Sequence, residues 1–106
     1  MVVFSIPGLH YWAEAPKQTD YLRNPHRHQF GIEASFAVSD NNRQVEYFDI
    51  EEQIMAWLRE MYWDGMRKLY YFGAMSCEQI AQAIQAQFKC TEVRVSEDGG
   101  HYSMVR

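Results

Sequence analysis

At 106 residues the chain has room for one domain, 1–106, and no second core. Hydrophobic content of 47% and aromatic content of 15% suit a folded globule, while 10 basic against 14 acidic residues (net charge −4) argue against a duplex-binding surface, which needs clustered Lys and Arg. No apolar run is long enough for a bilayer and Met1–Ser5 lacks the basic and apolar regions of a leader, so a cytoplasmic protein away from membranes is expected.

Met1 to Ser5 is apolar and β-prone, and Pro7-Gly8 is expected to break or bend it before the chain resumes over Leu9 to Glu14. A polar loop is expected from Ala15 to about Asn24. From His28 the pattern alternates, with Phe30, Ile32, Ala34, Phe36 and Val38 on one face, which predicts a strand. Asp40-Asn41-Asn42 is a turn signal, and Gln44 to Phe48 reads as a further extended piece. Asp49 suits an N-cap, with Glu52 in the capping-box position, and Ile50, Ile54, Trp57, Leu58 and Met61 form the stripe of a helix.

The segment Tyr62 to Met75, rich in Tyr, Trp and Gly, is expected to be irregular, its aromatic residues packing between helices and subunits rather than on a ligand. Ser76 caps a second helix, with Gln79 in the reciprocal position and Ile80, Ile84 and Phe88 as its apolar stripe. Glu92 to Glu97 and His101 to Arg106 form a hairpin around Asp98-Gly99-Gly100. The order strand, strand, helix, helix, strand, strand predicts an α+β fold, ββααββ. It would be an antiparallel four-stranded sheet with both helices on one face and open edges that invite pairing between subunits.

Chemistry concentrates near the N-terminus, where three of the four histidines fall within the first 28 residues. His26 and His28 are two apart at a strand start, so both imidazoles point to one side. His10 on a neighbouring strand would complete a three-nitrogen metal site with a position open to water or ligand. The plainer alternative is an exposed strand start with an unrelated His10. Cys77 and Cys90 follow no metal-type Cys-x-x-Cys spacing; free thiols are the default in the cytoplasm, and a disulfide stays open.

These landmarks, in this order, resemble the 6-pyruvoyl-tetrahydropterin synthase / 6-carboxytetrahydropterin synthase family of tunnelling-fold (T-fold) proteins. His10 is followed by Arg23-Asn24-Pro25-His26-Arg27-His28-Gln29-Phe30, similar to the family's Arg-Asn-Leu-His-Gly-His-Ser-Tyr. Val45-Glu46-Tyr47-Phe48-Asp49-Ile50 is similar to Val-Met-Asp-Phe-x-x-Leu, and Ser76-Cys77-Glu78-Gln79-Ile80-Ala81 to Thr-Ser-Glu-Asn-Ile-Ala. Val93-Arg94-Val95-Ser96-Glu97 matches the family's Val-x-Val-x-Glu. The resemblance implies zinc held by His10, His26 and His28, and Glu97 gripping the 2-amino-4-oxo edge of a pterin or purine-like ring. By itself, Glu97 next to a Gly-Gly turn reads as a solvated hairpin residue. Arg23 is a candidate contact for a ligand phosphate; Arg27, pointing away from both histidines, is a weaker one. The resemblance also implies a homo-oligomeric barrel, trimer to hexamer.

Two departures bear on activity. The family's reactive Cys, four residues before the first His of the pair, is Leu22 here, and the Asp-His element between the helices keeps only Asp64. No catalytic residue is assigned, although Glu14, Asp64 and His101 are candidates for proton transfer. Two functions are therefore expected as alternatives. One is a divergent zinc-dependent enzyme acting on a pterin or purine-like compound, and the other is a catalytically inactive T-fold module that sequesters or senses such a ligand.

Overall fold

In a computed structural model that describes residues 1–37 and 47–106, six strands form one mixed sheet and two α-helices pack on it. The strands are β1 (Val2–His10), β2 (His26–Ser35), β3 (Trp63–Asp64), β4 (Leu69–Gly73), β5 (Glu92–Glu97) and β6 (His101–Val105). The helices are α1 (Tyr47–Tyr62) and α2 (Cys77–Phe88), and a 3-10 segment covers Lys17–Arg23. The sheet order is β3-β4-β1-β2-β5-β6.

The α+β class and the strand pairs β1–β2 and β5–β6 agree with expectation; the four-stranded antiparallel ββααββ sheet does not. The expected irregular stretch contains β3 and β4, and β4 runs parallel to β1, with Gly8 opposite Tyr70 and Leu9 opposite Tyr71. The cause is a tight turn: the Asp64 carboxylate accepts the amides of Met66 and Arg67 and pairs with the Arg67 guanidinium. The chain thereby doubles back at once after α1, and Leu69, Tyr70 and Phe72 enter the core.

Pro7 does not interrupt β1, which runs unbroken through it. Strand β4 pairs with β1 only from Gly8 onward, so the preceding residues form an edge that tolerates a missing N–H. Gly8 is required by close approach. A Cβ there would lie 2.8 Å from the Phe30 ring and 2.9 Å from the Phe72 ring. Tyr47 and Phe48, expected in an extended piece, begin α1, which places Asp49 in its first turn, where the helix dipole favours a carboxylate. The expected turn 40–42, the extended residues 44–46 and Val38 lie outside the described residues.

Ile6, Phe30, Ile32, Ala34, Val93 and Val95 share one face of the sheet, and Ile54 and Leu58 of α1 with Ile80 and Ile84 of α2 cover it. Strand register extends this face past Phe30 to His28 and His26 on β2, to His10 opposite His26 on β1, and to Glu97 opposite Phe30 on β5. The core ends in histidine. Helix α2 begins at this end of the sheet, fixed by the capping box: Ser76 Oγ accepts the Gln79 amide and Gln79 Oε1 accepts the Ser76 amide.

A candidate metal centre

His10, His26 and His28 come together, each offering one ring nitrogen within 4.8 Å of the others. Strand geometry does this directly. His26 and His28 alternate to the same face of β2, and antiparallel pairing sets His10 across from His26. The rings meet edge to face, with centroids 4.6 to 5.2 Å apart, and Phe30 lies beneath His10 and His28 as an apolar floor.

Each ring has its Nδ1 committed to an oxygen: His10 to the Met75 carbonyl at 3.0 Å, His26 to the Asn24 carbonyl at 3.0 Å, and His28 to the Asp98 carboxylate at 2.7 Å. Carbonyls and carboxylates only accept, so Nδ1 is the donor in all three rings, which leaves Nε2 as the atom that a neutral ring would offer to a metal. The Nε2 atoms of His10 and His28 are buried without a hydrogen-bond partner. Burial holds the His10 pKa below its ordinary 6.5, outweighing the Met75 carbonyl and the Glu97 charge that raise it. Neutral imidazoles with fixed tautomers and outward Nδ1 bonds are the donor arrangement that a bound transition-metal ion requires. The residues fit such an ion.

Glu97 touches the same centre. Its Oε1 is 3.2 Å from His10 Nε2 and its Oε2 is 3.5 Å from His28 Nε2, close but not in hydrogen-bond geometry. The Cys77 thiol donates to Oε1 at 3.4 Å, and burial together with the Glu97 charge pushes that thiol up to about 12. Asp98, the first residue after Glu97, turns the chain at positive φ. One carboxylate oxygen holds His28 and the other accepts the Gln29 amide at 2.8 Å, which together keep its pKa below the usual carboxylate value.

Beside the histidines opens a cavity of about 210 Å³. Tyr11, Trp12, Leu22 and Met75 make its apolar walls, and His10, His26, Ser76 and Glu97 supply polar groups. Leu22 is brought there by the 3-10 segment, where its carbonyl accepts the Trp12 amide at 2.7 Å. Arg23 does not line the cavity; its Nε donates to the Ala15 carbonyl at 2.8 Å and ties the loop to itself. Arg27 alternates to the opposite face of β2. Of the proton-transfer candidates, Asp64 is engaged in the β3–β4 turn and Glu14 is exposed, whereas His101 borders a small hollow shared with Cys77 and Glu97.

Sequence spacing singled out the three histidines, whereas Glu97 was singled out only by the resemblance. Spacing missed Asp98 as the partner of His28, because an Asp before Gly-Gly reads first as a turn former. It also set Cys77 aside, since only the fold shows that the start of α2 abuts the end of β5. Both cysteines are free, which closes the disulfide alternative. The fold and the cluster define an α+β protein with a three-histidine candidate metal centre. No family model and no curated protein matches the chain.

Proposed function

We propose that this protein holds a divalent metal at His10, His26 and His28 and binds a small pterin- or purine-like molecule in the adjoining cavity, as a divergent relative of the 6-pyruvoyl-tetrahydropterin synthase family. The observation that carries this reading is the set of three Nδ1–H bonds that leaves one ring nitrogen of each histidine facing a common point. Three imidazole donors suit zinc. A zinc ion bound there would polarise a ligand oxygen. The chain's own contribution is to position the ligand: Trp12 and Met75 offer flat, adaptable apolar contact, and Ser76 and Glu97 offer polar recognition.

Between the two expected activities, binding without turnover is favoured by Leu22 and Cys77. Leu22 lines the cavity where the resembled enzymes carry a reactive thiol, and a Cys77 thiol pushed up to about 12 is not a thiolate at neutral pH. A cytoplasmic homo-oligomer, trimer to hexamer, belongs to this reading. It is supported by β6, which pairs only with β5 among the described residues and leaves an edge for another subunit. Among the described residues no helix is long and apolar enough to cross a membrane.

The test is elemental analysis of the natively purified protein with mass spectrometry of any retained small molecule. Near-stoichiometric zinc that is lost in His26→Ala supports the metal reading. Retention of a pterin or purine without conversion of a dihydroneopterin-triphosphate-type substrate supports the binding form, and zinc-dependent conversion supports the enzyme. A native protein that neither contains nor takes up a divalent metal refutes the reading.

A further inference from the structure

We infer that Cys77 is a positioning residue whose thiol holds the Glu97 carboxylate at the wall of the cavity, and so sets a preference for rings that carry a 2-amino group. The inference rests on the reading above, in which Glu97 takes part in recognising the ring, and adds the residue that aims it.

Glu97 stands between two spaces. Among the described residues it is the one carboxylate lining the cavity beside the histidines. It also borders a second hollow, of about 90 Å³, with Cys77, His101, Tyr102 and Ser103. Its side chain is long, flexible and 27% exposed, so an unanchored carboxylate has both spaces to occupy. Recognition of a ring in the cavity needs it in only one.

The Cys77 thiol removes that freedom. Its Sγ donates to Glu97 Oε1 at 3.4 Å, and the contacts of the carboxylate with His10 and His28 lack hydrogen-bond geometry. Among the described residues the thiol is therefore the one hydrogen-bond donor to this carboxylate. Cys77 is itself fixed. It is buried in the core cluster, and the reciprocal Ser76–Gln79 cap sets the first turn of α2 on which it sits. Strand register fixes the other end of the bond, with Glu97 opposite Phe30 on β2 and His101 on β6. A carboxylate offers about four acceptor positions and the thiol takes one. The others remain for an amino group and an adjacent ring N–H, which a carboxylate accepts in parallel.

The experiment measures binding of pterin and of lumazine, which has oxygen in place of the 2-amino group, by equilibrium dialysis. The native protein should prefer pterin by about tenfold or more, the range of a hydrogen bond to a charged group. Cys77→Ser keeps a donor and should keep that preference. Cys77→Val fills similar space without a donor and should reduce the preference by about threefold or more. A purely structural role would instead lower the thermal stability of Cys77→Val and weaken both ligands alike. Circular dichroism checks the fold, and Cys77→Ala carries the same expectation where Cys77→Val does not fold. An unchanged preference in the variant without a donor, or a preference lost equally in Cys77→Ser, overturns the inference and leaves the ring-binding reading standing. Failure of the native protein to bind pterin overturns both.

Discussion

Asp98 does three things with one side chain and one backbone angle. It turns the chain at φ 54°, accepts the Gln29 amide, and bonds His28 Nδ1 at 2.7 Å. Asp98→Asn keeps the tolerance of the left-handed conformation but replaces one acceptor oxygen by an amide. Zinc affinity in that variant, measured by chelator competition, should fall by about tenfold or more while the hairpin persists. An unchanged affinity would mean that His28 needs no orienting partner. Arg23 gives the opposite expectation. Its guanidinium ties the Ala15 carbonyl, so Arg23→Ala should loosen the loop and leave zinc affinity within about twofold, far below the effect of losing an outer-sphere partner.

At the level of elements, Gly8 connects core packing to the histidines. Both the Phe30 and the Phe72 ring lean over it, and Phe30 is the floor under His10 and His28. Gly8→Ala forces those rings apart, with an expected loss of about 1–3 kcal/mol in denaturant unfolding and weaker metal binding alongside. Stability loss without any change in affinity would separate the packing from the site. The elements that were legible in sequence owe this to local signals: strict alternation over Phe30 to Ala34, the Ser76–Gln79 capping pair, and Asp98-Gly99 at the last hairpin. Strands β3 and β4 were not legible, because a two-residue strand carries no period and Leu69-Tyr70 places two buried residues in succession. Their pairing depends on an Asp64 turn and on a parallel neighbour some sixty residues earlier in the chain. The histidine cluster was legible because a spacing of two on a strand is enough to fix a shared face. The tautomers were not, since Met75 and Asn24 act through backbone carbonyls that any residue would offer.

Across the whole molecule, the sheet brings together one end of β1, β2 and β5 and the start of α2, regions that span His10 to Glu97 of the chain. A metal held there would join β1 and β2 directly, with His28 braced by Asp98 after β5 and His10 by the Met75 carbonyl before α2, so it would bind the assembled sheet. Zinc should therefore raise the stability of the folded protein by roughly 4 kcal/mol at a free concentration a thousandfold above Kd, with Tm rising by on the order of 10 °C or more. Chelation should reverse this. The most direct measurement of the central claim is zinc titration of the metal-free native protein beside His10→Ala, His26→Ala and His28→Ala, followed by calorimetry. The account predicts one zinc per chain in the native protein, with affinity sharply reduced in each single variant. Equal zinc binding by all four proteins, or none by the native one, would contradict it.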